Sequence, residues 1–254
     1  MSNLPDYAMS FAQRDKREAD FLGGYEDFIG GSPLSNAQRF MNFSLYATRQ
    51  DLARFLHRSQ MFKEVVGVHG SIVECGVLYG QGLMTFAQLS SIFEPANHTR
   101  KVIGFDTFAG FPSNHPKDKS ELTTGATKVG AMAADSRDEL ERCARMFDLN
   151  RPGGHIPKVE LIEGDIVETV PAYVERNPHL VVSLLYLNVN VYEPTKTAIE
   201  TFLPRMPKGA VIAFGELDHP ECPGETLAVL EKLDIKNLEL TRVPYDTTRC
   251  YAKI

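Results

Sequence analysis

A carboxylate placed just before a run of glycines repels a pyrophosphate and suits a ligand that carries an ammonium group. The segment Val73-Glu74-Cys75-Gly76-Val77-Leu78-Tyr79-Gly80-Gln81-Gly82 has this arrangement, with the spacing Glu-x-Gly-x-x-x-Gly-x-Gly. It does not fit the dinucleotide fingerprint Gly-x-Gly-x-x-Gly, because the next glycine after Gly76 is Gly80. Glycines here permit a sharp turn and close backbone approach, and a helix that starts at such a turn offers free N–H groups. Asp106 ends the next apolar segment, 24 residues beyond Gly82, where an acid accepts both hydroxyls of a ribose. Glu74, the glycines and Asp106 together predict an adenosyl ligand with a cationic tail, S-adenosylmethionine.

Strands and helices must hold these groups. Ile72–Val77 and Lys101–Asp106 are short apolar runs of the kind that form buried parallel strands, with a helix over 80–93 between them. After a long insertion (107–157, helical around 135–148) the alternation resumes. Strands are expected at 158–163, 181–187 and 210–214, and helices near 168–176, 194–204 and 224–234. Leu238–Val243 and Cys250–Ile254 are joined by too short a link for a parallel crossover, so they form an antiparallel hairpin. The fold is therefore α/β and doubly wound, with ligands at the carboxyl ends of the strands. Ahead of it, apolar residues recur at helical spacing from Ser35 to Val66, with Ser35 or Asn36 as the first cap. Residues 1–70 are read as an arm and helical cap or oligomerisation segment, and 71–254 as the ligand-binding domain with 107–157 as its cap.

The blocks Val73–Gly80 and Ile103-Gly104-Phe105-Asp106-Thr107-Phe108-Ala109-Gly110-Phe111-Pro112 resemble the macrocin-type O-methyltransferases. These are class I enzymes that methylate sugar hydroxyls in antibiotic biosynthesis. The likeness runs from about Gln38 to Thr226. It implies a Rossmann-like, mostly parallel seven-stranded sheet with an antiparallel last strand. It implies also that Glu74, Gly76, Gly80 and Gly82 surround the methionine part of the cofactor, and that Asp106, with Thr107 beside it, holds the ribose. Gly164-Asp165-Ile166 falls where class I enzymes border the adenine, so Asp165 would accept from its amino group; otherwise Asp165 caps the following helix. Asn188, at the end of the fourth strand, joins the expected cofactor set.

The same family carries a Leu-Asp-x-Asp-x-Tyr-Glu-Ser-Thr block after the fourth strand and an Asp-Asp pair after the fifth, and these acids hold Mg²⁺ beside the acceptor. Here the first block reads Leu187-Asn188-Val189-Asn190-Val191-Tyr192-Glu193-Pro194-Thr195, and the second Ala213-Phe214-Gly215-Glu216-Leu217-Asp218-His219. Two explanations compete. Glu216, Asp218 and the Asn190 carbonyl could rebuild a site for Mg²⁺ or another divalent metal. Alternatively the metal is lost, and Asp218 or His219 acts as the general base. In the insertion, His115 is a possible acceptor contact. The locally basic Lys117, Lys119 and Lys128 favour an acceptor that carries a diphosphate, and Arg39 is a further possible anchor.

The resemblance implies a methyl acceptor that is a deoxysugar, either a TDP-deoxyhexose or a glycosylated natural product. The rival readings are an NAD-dependent oxidoreductase and a non-catalytic subunit that binds S-adenosylmethionine. Composition narrows the partners. The 254 residues carry 27 Lys and Arg against 33 Asp and Glu, a net charge of −6, which argues against a nucleic-acid binder. No apolar run approaches the length of a membrane span, and residues 1–20 lack the apolar core of a signal peptide. Cys75, Cys143, Cys222 and Cys250 are scattered as in a reduced cytoplasmic protein. The aromatic-rich arm and prelude (Phe40, Phe43, Tyr46, Phe55) point to a homo-oligomer.

Overall fold

Five parallel strands carry the site: β1 (Ser71–Cys75), β2 (Val102–Asp106), β3 (Val159–Glu163), β4 (Val182–Leu187) and β5 (Val211–Phe214). The computed structural model describes residues 16–254 apart from 124, 126, 246 and 247. Every residue of β1, β4 and β5 is buried, which is why these segments read as unbroken apolar runs and not as alternating ones. Two further strands, β6 (Thr241–Arg242) and β7 (Cys250–Lys253), close the sheet in the order β3-β2-β1-β4-β5-β7-β6. β7 runs antiparallel to both neighbours, so the expected hairpin forms. Its first arm pairs over only two residues, because Ile235–Asn237 takes a 3₁₀ turn and the strand lies at the sheet edge.

The chain divides into two compact units, one ending at Leu52 and one running from Ala53 to Ile254. The smaller contains α1 (Lys16–Gly30) and α2 (Asn36–Met41). Residues 1–15 of the expected arm lie outside the described residues. Ser35 caps α2 through a capping box, its Oγ accepting from Gln38 N at 3.3 Å and its own N–H donating to Gln38 Oε1 at 2.9 Å. Arg39 braces the turn before α2 by donating to the carbonyls of Leu34 and Ser32, both at 3.0 Å.

In the larger unit the sheet has two apolar faces. The last turns of α3 (Arg49–Val65) and helix α4 (Gln81–Phe93) cover one, where Met61, Phe62, Val65, Leu83 and Phe86 pack on Ile72, Leu184 and Tyr186. The other face meets α6 (Ile166–Arg176) and α7 (Tyr192–Phe202) through Val170, Tyr173, Ile199 and Phe202, with α8 (Pro223–Lys232) adding Val229. Helix α7 starts two residues earlier than its sequence suggests. Pro194 is tolerated in the first turn, and the buried Asp118 carboxylate accepts from Tyr192 N at 2.7 Å and so holds the helix start from far away in the chain.

Candidate functional site

The turn between β1 and α4 is tied down by Asp106. Its Oδ2 accepts from the N–H groups of Val77 (2.7 Å) and Leu78 (2.8 Å), and its Oδ1 from Phe108 N (2.8 Å). Leu78 is thereby held at φ 53°, between Gly76 (φ 89°) and Gly80 (φ 81°), which are left-handed as well. Thr107 serves the next turn: its hydroxyl donates to Gly110 O at 2.6 Å and accepts from Ala109 N at 3.2 Å. Asn188 closes the turn from β4, with Nδ2 donating to Gly76 O at 3.3 Å and its N–H donating to Cys75 O at 2.9 Å.

Glu74 lies beneath the first turn of α4, fully buried, and neither carboxylate oxygen has a hydrogen-bond partner. Gly82 is required there, because a Cβ would fall 1.9 Å from Glu74 Oε1. Burial pushes the Glu74 carboxyl up to about 8; the Arg58 charge works against this shift and Asp106 adds to it. A buried acid without a partner beside a glycine turn and a helix N-terminus fits the ammonium end of S-adenosylmethionine. On β2, Asp106 retains acceptor capacity for a ribose hydroxyl, since three N–H bonds leave one of about four carboxylate lone pairs. Asp165 caps α6, its Oδ1 accepting from Val167 N at 2.9 Å, and Ile166 is buried behind it.

The residues expected at the acceptor lie on the loops after β4 and β5, at the carboxyl edge of the sheet. Asp218 is exposed, at φ 63°, and its N–H donates to Thr226 Oγ1 at 2.9 Å. His219 is partly buried, and its Nδ1 is sealed from solvent without a partner. Asn190 is left-handed (φ 60°) with a buried, unpartnered Oδ1. The expected metal ligands Glu216, Asp218 and Asn190 lie on the loops after β4 and β5. Among the described residues no three His, Cys, Asp or Glu side chains are grouped to hold a metal. Two neutral amides stand in the first block, the Nδ2 of one committed to the glycine turn, so the donor set carries less negative charge than paired carboxylates would bring to a divalent cation.

A residue the motifs did not reveal organises this edge. Glu225, fully buried in the first turn of α8, accepts from Glu216 N at 2.9 Å through Oε1, so its carboxyl anchors the β5 loop, and the electrostatic influence of the Asn190 backbone on it places the β4 loop nearby. Burial pushes it up to about 8, with the backbone donors opposing the shift. The only sequence signal is an acid just after Pro223-Gly224, which reads as an ordinary helix start.

The insertion covers both ends of the site. Ser136 Oγ donates to Leu78 O at 2.5 Å, and Leu140 of α5 (Arg137–Leu149) packs against Gly80. At the other end, buried Asp118 also accepts from His115 N at 2.7 Å, and the His115 ring stacks on Tyr192 at 4.7 Å. Lys117 donates to Tyr192 Oη (2.8 Å) and Glu231 Oε2 (2.7 Å) and holds the Glu231 carboxyl down to about 2. That lysine is thus committed to α8, while Lys119 and Lys128 are exposed. His115, Asp118, Val191 and Glu193 line a small cavity of about 90 Å³ beside the acceptor edge.

Comparison with known proteins bears on the family and the fold. The solved calicheamicin methyltransferase CalS11 superposes with a TM-score of 0.89 and 31% identity, over 94% of this chain and 93% of that one. A second structure, of apo CalS11 described as a TDP-rhamnose 3'-O-methyltransferase of calicheamicin biosynthesis, gives 0.81 and 30%, over 94% and 95%. The O-methyltransferase NovP shares the fold at 22% identity (TM-score 0.59, 79% of each chain). A search of curated proteins returns no match. The family model for macrocin O-methyltransferase matches residues 48–236, and the chain belongs to that family of S-adenosylmethionine-dependent O-methyltransferases with the class I fold.

Proposed function

We propose that the enzyme methylates a hydroxyl of a deoxysugar in secondary metabolism, and that this sugar is carried on a nucleotide as a TDP-deoxyhexose. The observation that carries the reading is the 30% identity, over 94% of the chain, with a protein described as a TDP-rhamnose 3'-O-methyltransferase. S-adenosylmethionine supplies a methyl group already activated on a sulfonium. The chain's own work is to align the acceptor oxygen and take its proton. We assign the proton to His219. Its Nδ1 is sealed, which leaves Nε2 for the acceptor, and imidazole is the side chain most often used to take a proton in catalysis. Asp218 and Asn190 then orient the sugar, and Glu225 keeps the two loops in register. This reading needs no metal, in keeping with the amides that stand in place of the family acids. Free cysteines and the exposed Phe40, Met41 and Leu45 support a cytoplasmic homo-oligomer.

The test is His219→Asn assayed on a panel of TDP-deoxyhexoses and glycosylated natural products. The expected result is turnover of the nucleotide sugars by the parent enzyme, and a kcat about a hundredfold lower in the variant with unchanged S-adenosylhomocysteine affinity. Full activity in the variant would place the base elsewhere, and turnover of scaffold-attached sugars alone would reassign the acceptor.

A further inference from the structure

Arg58 and Glu74 are a guanidinium and a carboxyl buried on the same face of the sheet that do not meet. Arg58, on α3 within the larger unit, is 4% exposed, and its guanidinium carbon lies 5.3 Å from the centre of the Tyr186 ring. Tyr186 is the register partner of Glu74 across the β1–β4 pair, so Arg58 sits over the strand next to the acid and close enough to lower its pKa. Yet neither Glu74 oxygen nor Arg58 Nε has a hydrogen-bond partner. The one bond given to the guanidinium is a long one, 3.4 Å, from NH1 to Arg54 O. A buried guanidinium and a buried carboxyl left apart in this way carry an uncompensated desolvation cost, and the chain gains nothing from them until something bridges the gap. A zwitterionic amino acid does so, presenting an ammonium to the carboxylate and a carboxylate to the guanidinium fork.

We infer that Arg58 binds the α-carboxylate of the methionine end of the cofactor while Glu74 takes its α-ammonium. The inference rests on the S-adenosylmethionine reading and adds to it a residue from a helix that lies outside the glycine motif. It distinguishes the cofactor from analogues that lack the carboxylate.

The experiment measures binding of S-adenosylmethionine and of its decarboxylated analogue, which keeps the sulfonium and the amine, to the parent enzyme, Arg58→Met and Arg58→Lys. The parent should prefer S-adenosylmethionine by about tenfold to a hundredfold, the range for a hydrogen-bonded charge. Arg58→Met should lose that preference by weakening only the carboxylate-bearing ligand, and Arg58→Lys should regain part of it. Equal weakening of both ligands in Arg58→Met, or a preference that survives the substitution, would overturn the assignment and leave the cofactor reading intact. Failure of the parent to bind either ligand would overturn the cofactor reading and this assignment with it.

Discussion

The Asp106 carboxylate spends most of its acceptor capacity on the backbone of the turn it faces, which couples the shape of the cofactor site to the residue expected to touch ribose. Asp106→Ala should therefore cost about 2–4 kcal/mol of stability, as several charge-assisted hydrogen bonds are lost, and weaken S-adenosylhomocysteine at least tenfold. Calorimetry and chemical denaturation would check both numbers. Glu74 gives a pH signature. Its native pKa of about 8 lies above the unfolded value near ~4.3, so between these values the native state holds a proton that the unfolded state has released. Burial of Glu74 therefore lowers stability progressively as pH rises through that window, and the cost is complete above pH 8. Because an ammonium ligand needs the ionised acid, S-adenosylhomocysteine should bind about tenfold more tightly per unit from pH 6 to 8 and release a proton. Titration in buffers of different ionisation enthalpy should show this in the parent and not in Glu74→Gln. Glu74, Asp106 and the glycines were legible because their chemistry lies in one short run and its downstream strand. Arg58, Asp118 and Glu225 were not, because what sets them apart is burial, which a charged residue type argues against.

At the level of elements, the insertion is latched and not merely long. Asp118 bonds two backbone N–H groups, one its own loop's and one at the start of α7, and a Cβ on Gly224 of α8 would fall 2.1 Å from its Oδ1. Asp118→Ala should release the latch at a cost of about 1–3 kcal/mol, the price of a lost buried cap, and raise the acceptor KM while leaving S-adenosylhomocysteine affinity within about twofold. Steady-state kinetics with melting curves would show the split; equal losses for both ligands would mean that the latch supports the whole site. The sequence places the helix in this insertion within two residues of α5, because its apolar positions and capping acids are local signals. It does not show where the insertion docks, since that depends on contacts such as Lys117 with Glu231 that join segments distant in the chain. The start of α7 was misplaced for the same reason: the residue that caps it comes from the insertion.

For the whole molecule, the sheet order explains why so much of the fold was readable and so little of the acceptor chemistry. Parallel strands between helices announce themselves as buried apolar runs, and the strand order brings the ends of β1, β2, β4 and β5 to one edge. What happens at that edge depends on a few loop residues. There the family resemblance implies acids where this chain has Asn188, Asn190 and Phe214-Gly215. Methyl transfer from labelled S-adenosylmethionine to a TDP-deoxyhexose, run with an excess of chelator and again with added Mg²⁺, bears on the central claim most directly. The account predicts a mono-O-methylated nucleotide sugar at the same rate in both. Product only with Mg²⁺ would contradict the metal-free site, and no product in either would contradict the acceptor.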